Sequence, residues 1–229
     1  CFIRRESLMQ AVVALVVAAW TLSIAWSQEP EPLLAQRGLR IGLGAVRFVG
    51  ADAEGVQTQL NPAAGVFGIL RLEALGIPRL TLLLELLYAR RGTEQRISLG
   101  GGGYDLRYNF DQLELLVAPR LNVAVVPLPV AIYAGVAPGL RTSGRVEQIV
   151  GGGAPKRLEA SLRSLTVGLS AGAGTELPLR RSARLLIDLR AYYGLLSILE
   201  QEFKPPLRED KSIRAVHPLA LGIAVGVGF

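Results

Sequence analysis

Charged residues recur along this chain at alternate positions, set among apolar neighbours. Arg40 stands between Leu39 and Ile41, Glu85 between Leu84 and Leu86, Glu114 between Leu113 and Leu115, and Asp188 between Ile187 and Leu189. Arg71, Glu73, Arg120, Arg141 and Arg190 keep the same alternation. Period two is the strand period, so in each segment the charges lie on the face opposite the large apolar residues. Such a face, carrying guanidinium and carboxylate groups together, can pair internally, line a polar pore or hold a small ligand. Pairing is the expectation, because a lone buried charge is costly.

Other chemistries lack their residues. One Cys, Cys1, excludes a disulfide framework and a cysteine-rich zinc site, and one His, His217, argues against a histidine metal site. The runs Gly100–Gly103 and Gly151–Gly153 are not followed by Lys-Ser/Thr, and Gly42-x-Gly44 lies inside a strand pattern without a third glycine. Neither is a phosphate or dinucleotide loop. No metal or cofactor is expected. A lipid-hydrolysing site would need a nucleophile within hydrogen-bond reach of His217. The residues that follow are Pro218 and Leu219, with no serine two positions on, so His217 reads as an interfacial residue on the outward face.

The elements that carry the charges are strands. The clearest is the last, where Leu219, Leu221, Ile223, Val225, Val227 and Phe229 alternate with Ala220, Gly222, Ala224, Gly226 and Gly228. One face meets something oily and the other a crowded interior, as in a lipid-facing barrel strand. Seven further strands are predicted: 38–49, 63–75, 79–91, 110–123, 130–143, 158–177 and 184–199. Their connections alternate in length. Short turns fall near Ile77, Pro127 and Arg180, and long loops at 50–62, 92–109, 144–157 and 200–211. Even strand number with alternating short turns and long loops is the pattern of an outer-membrane barrel. The predicted fold is therefore all-β: an eight-stranded antiparallel transmembrane β-barrel with up-and-down meander topology, over residues 38–229.

Before it, residues 1–27 read as a signal peptide. Arg4 and Arg5 precede the apolar run from Ala11 to Trp26, and Ala25-Trp26-Ser27 supplies small residues for cleavage before Gln28. Residues 28–37, with Pro30 and Pro32, read as a periplasmic linker. The chain opens on Cys1 rather than methionine, as expected of a truncated or misassigned start. Of its 229 residues 50% are hydrophobic and 19% charged, which excludes a disordered chain, and the net charge is +6.

The segment from Phe110 to Leu140 resembles the PorT-like outer-membrane β-barrel domain. Leu113-Glu114-Leu115 and Pro119-Arg120 stand for that family's first motif strand, and Pro129, Tyr133, Gly135, Pro138 and Gly139 for its second. The resemblance implies a bacterial outer-membrane barrel, and a role accessory to protein secretion, since the family includes a protein linked to the type IX secretion system. It resembles that class too in ending on an aromatic residue, Phe229, the expected signal to the barrel-assembly machinery.

Arg90, Arg91, Arg96, Arg107, Arg145, Lys156, Arg157, Lys204, Arg208, Lys211 and Arg214 are predicted to form a basic rim facing outer-membrane lipid and lipopolysaccharide phosphates. Nucleic acid is not an expected partner of an exported barrel. The expected function is a non-enzymatic structural or interaction role. A narrow channel or small-ligand-binding barrel is the alternative, and a lipid A-modifying enzyme comes third.

Overall fold

The computed structural model describes residues 34–72, 79–99, 102–125, 128–179, 183–201, 213 and 215–229. Residues 1–27, read above as a signal peptide, residues 28–33 of the expected linker and Glu73 lie outside them. Ten strands follow in order: β1 (Leu34–Val49), β2 (Val56–Gln57), β3 (Gln59–Arg71), β4 (Leu80–Leu99), β5 (Gly102–Val125), β6 (Leu128–Val150), β7 (Lys156–Leu158), β8 (Leu165–Pro178), β9 (Arg184–Gly194) and β10 (His217–Gly228).

Eight of them form a closed ring, β1-β3-β4-β5-β6-β8-β9-β10, and β10 returns to β1. Every neighbour is antiparallel and next in sequence among the eight, so the barrel is an up-and-down meander. The closing seam runs from Gly38 opposite Gly228 to Val49 opposite His217. It finishes with a reciprocal pair of backbone bonds: Phe229 N–H donates to Arg37 O at 2.8 Å, and Arg37 N–H to Phe229 O at 3.2 Å. Closure leaves the barrel no free edge, which a sheet in lipid requires.

The faces follow from the alternation. Ile41, Leu189 and Leu221 are 68%, 62% and 60% exposed on the outside, while Glu85 and Asp188 are 1% and 3% exposed within. Among the described residues no helix is long and apolar enough to cross a membrane.

The strands are longer at one end than the sequence pattern predicts. Of residues 92–109, read as a loop, 92–99 continue β4 and 102–109 continue β5, paired up to Leu99 opposite Gly102. The first half of 144–157 likewise continues β6 to Val150. Conversely, β8 begins at Leu165 rather than 158, and β9 ends at Gly194 rather than 199. The glycines drew the loop reading, but Gly151 and Gly152, with φ of +55° and +74°, only turn the chain after β6.

What holds the extensions in strand form is a second core above the charged interior. The inward side chains Ile97, Tyr104, Leu106, Tyr108, Phe110 and Val146 bury themselves against Phe48, Leu158, Leu162, Ile198, Leu199, Ile213 and Val216. Phe48 meets the Tyr108 ring edge-on at 5.3 Å and stacks with Phe110 at 6.1 Å. Burial, before the charges of Tyr104 and Asp52, pushes the Tyr108 phenol up, so it stays a neutral donor to Gln95 Oε1 at 3.1 Å. On the outer face, charges pair across strands: Arg96 with Asp105 at 3.0 Å and Arg107 with Glu94 at 2.5 Å. A bulge at Thr142 shifts the β5–β6 register between Asp111 and Gln112.

Candidate functional site

Inside the barrel, four of the nine alternating charges converge from three strands. Arg40 on β1 donates to Glu85 on β4 at 2.9 Å and to Asp188 on β9 at 3.0 Å. Arg190, also on β9, bonds Glu85 at 2.5 Å and Asp188 at 3.3 Å. Tyr133 on β6 completes the cluster. Its hydroxyl donates to Asp188 Oδ2 at 2.7 Å and accepts from Arg190 Nε at 2.8 Å. Two positive and two negative groups cancel, and each has more than one partner. The bonds gather on Glu85 Oε2 and Asp188 Oδ2, however, and leave Glu85 Oε1, Asp188 Oδ1 and Arg40 Nε without a hydrogen bond among the described residues. Aromatic faces add to this: Arg40 lies over the Phe67 ring at 5.1 Å and Arg190 over that of Tyr133 at 5.5 Å.

Nearer the long-strand end, Glu114 accepts from Arg91 Nη2 at 2.6 Å and from the Gln112 amide. The Arg91 guanidinium lies 4.0 Å from the centre of the Tyr192 ring. Arg91, expected among the rim cations, is buried in the interior instead; its odd position in β4 shares the face of Glu85. Nearer the short-turn end, Glu176 takes Arg120, and Arg184 at 3.0 Å, while Arg120 Nη1 donates to Asn122 at 2.9 Å. Tyr133, Arg91, Gln112 and Glu176 were thus missing from the sequence-derived network. Their inward parity was the signal that could have placed them there.

Two of the nine stand apart. Arg71 has inward parity but is exposed at the short-turn end of β3. Arg141 turns to the Leu162 carbonyl above the cluster. Between the central cluster and Arg120 remains a cavity of about 20 Å³, lined also by Ile69, Leu83 and Leu186, which is room for about one water.

The interior glycines make this filling possible. A Cβ at Gly172 would collide with the Tyr133 hydroxyl, and one at Gly168 with the Tyr192 ring. Both aromatic side chains lie flat across the neighbouring strand where a glycine leaves space.

On the outer surface the basic rim is largely neutralised. Arg90 pairs with Asp111 at 3.1 Å and Arg145 with Glu147 at 3.2 Å, alongside the Arg96 and Arg107 pairs. Lys156 and Arg157 are exposed. Lys204, Arg208, Lys211 and Arg214 lie outside the described residues. His217 Nδ1 is 3.1 Å from the Gly194 carbonyl, and its ring lies nearly parallel to that of Tyr193 at 6.1 Å. Its hydrogen bond therefore goes to backbone, not to a serine hydroxyl. No group of three or more His, Cys, Asp or Glu able to hold a metal occurs among the described residues.

Comparison with known families matches residues 26–200 to the outer membrane protein beta-barrel domain. Comparison with curated proteins finds none that matches. Among solved structures, Neisserial surface protein A shares 13% identity at a TM-score of 0.43, with 84% of this chain and 97% of that one covered. Ail of Yersinia pestis, solved with the heparin analogue sucrose octasulfate, shares 12% at 0.41, with 85% and 98% covered. The translocator domain of the autotransporter NalP from Neisseria meningitidis shares 10% at 0.30, with 98% and 97% covered. The barrel assignment for this chain stands on its own closed strand ladder.

Proposed function

Because the chain belongs to the outer membrane protein beta-barrel domain family and is thereby an integral barrel of the bacterial outer membrane, we propose that it is a closed, non-enzymatic barrel with a structural and interaction role. The observation that carries this reading is the filled interior. The Arg40–Glu85–Asp188–Arg190 cluster lies across the lumen, and the apolar core around Tyr108 lies above it. An eight-stranded barrel has just enough room for such side chains. A barrel blocked at two levels anchors and displays; what it displays is the sheet formed by the extensions of β4, β5 and β6.

Its partners in this reading are outer-membrane lipid and lipopolysaccharide, and the barrel-assembly machinery, addressed by Phe229. The PorT-like character of Phe110 to Leu140 supports a finer role as an accessory of protein secretion. Export uses residues 1–27 as signal, cleaved before Gln28, which N-terminal sequencing of the mature protein tests directly.

The main test joins two measurements. Purified protein in planar bilayers should give no steady ion current; a stable conductance would overturn the closed barrel. A pull-down of tagged protein from native outer membranes in mild detergent should bring down envelope proteins stoichiometrically. A barrel recovered with lipid alone would remove the secretion role.

A further inference from the structure

The outward row of β1 runs Leu39, Ile41, Leu43, Ala45 and then Arg47. The first three are 53%, 68% and 56% exposed and belong to the lipid-facing band. Arg47 therefore sits where that band ends, at the long-strand end, which faces the outer leaflet because short turns are periplasmic. Directly across the seam is Leu219, with Tyr193 beyond it on β9. His217, two residues before Leu219, has the same outward parity and lies diagonally across from Arg47.

Unlike Arg90, Arg96, Arg107 and Arg145, which all hold a carboxylate, Arg47 is exposed and makes no ion pair or side-chain hydrogen bond among the described residues. An arginine at the edge of a lipid-facing surface lays its methylene stem on the apolar side chains and carries its guanidinium to the headgroups. Beside it, the imidazole of His217 has Nδ1 committed to the Gly194 carbonyl and its plane set along Tyr193, so the ring is held in one orientation with Nε2 uncommitted.

We propose that Arg47, His217 and Tyr193 form a seat for the phosphate of an outer-leaflet lipid headgroup. The guanidinium fork matches a phosphate by two parallel hydrogen bonds. The His217 ring, with Nδ1 held by the Gly194 carbonyl, borders the seat, and the Tyr193 ring covers the adjacent apolar portion. A lipid is the occupant the surface favours, because the seat is continuous with the Leu43–Leu221 strip on which an acyl chain would lie.

The test is native mass spectrometry of the full barrel in a non-ionic detergent, titrated with bis-phosphorylated lipid A, with the same lipid A after phosphatase treatment, and with inorganic phosphate. The phosphorylated lipid should bind one per barrel, and the dephosphorylated form about tenfold or more weaker, the order expected for a charge-assisted contact. Arg47→Gln should reproduce that loss with the phosphorylated lipid, Arg47→Lys should retain part of the binding, and Arg90→Gln should change nothing. Equal binding of both lipids, or unchanged binding by Arg47→Gln, would overturn the seat. Binding of inorganic phosphate as tight as that of the lipid would overturn the assignment to a lipid headgroup. The heat-dependent gel shift of each variant separates loss of the seat from failure to fold, and the comparison between the two lipids needs no variant at all.

Discussion

Tyr133 and Asp188, 55 positions apart in sequence, meet inside the barrel, where the phenol donates to the carboxylate at 2.7 Å. The same Oδ2 receives Arg40 at 3.0 Å, and the same phenolic oxygen receives Arg190 at 2.8 Å. Tyrosine is thus the link that fixes both charges of β9 relative to β6. Tyr133→Phe keeps the ring but removes donor and acceptor together. The expected loss is about 1–3 kcal/mol of stability, read from urea unfolding in lipid vesicles. An unchanged midpoint would mean that the cluster holds without it.

Arg91 and Glu114 offer a cleaner pair, with side chains 8% and 3% exposed and 2.6 Å apart. Removing one partner leaves a buried charge uncompensated. Glu114→Leu should therefore destabilise by about 3–5 kcal/mol, whereas Arg91→Met combined with Glu114→Leu should lose much less. Equal losses in the single and double variants would show that the pair is not coupled.

Gly168 is where the ring of Tyr192 passes over the wall of the barrel. Gly168→Ala should cost about 1–3 kcal/mol through overpacking. Tyr192→Ser in the same chain should relieve the clash, though it has its own cost from the lost ring. The check is whether Gly168→Ala is less damaging in the Tyr192→Ser background than alone. Equal damage in both would place the strain elsewhere.

The extension of β4 and β5 makes a prediction about proteolysis. A loop over 92–109 would be cut at Arg96 and Arg107, but a paired hairpin holds its backbone in a ladder that a protease cannot accommodate. Intact barrels in vesicles should resist trypsin at both sites, as measured by peptide mass spectrometry. Phe48→Ala, which removes the ring packed on Tyr108 and Phe110, should expose them. Rapid cleavage of the unaltered protein at Arg96 would count against the hairpin.

Local pattern alone decided a good deal of this protein. Leu39, Ile41 and Leu43 face lipid and Arg40 faces inward because adjacent side chains on a strand must point to opposite sides, whatever the strand's neighbours are. The number of barrel strands, and the placement of Glu85, Glu114, Asp188 and Arg190 on one interior, follow from the same rule. Tertiary structure decided which charges meet. Arg40 reaches Asp188 across 148 residues only because β10 closes on β1 and pairs with β9 in one register, and register is a property of the whole ring. It also decided how far the strands rise beyond the lipid. The alternation of Tyr104, Leu106 and Tyr108 is visible in the sequence, but these residues needed Phe48, Leu162, Ile198 and Val216, distant in the chain, to bury against. Without that apolar partner surface a stretch flanked by glycines and charges reads as a loop; with it, the extended ladder is the form that buries the aromatic side chains and satisfies the backbone.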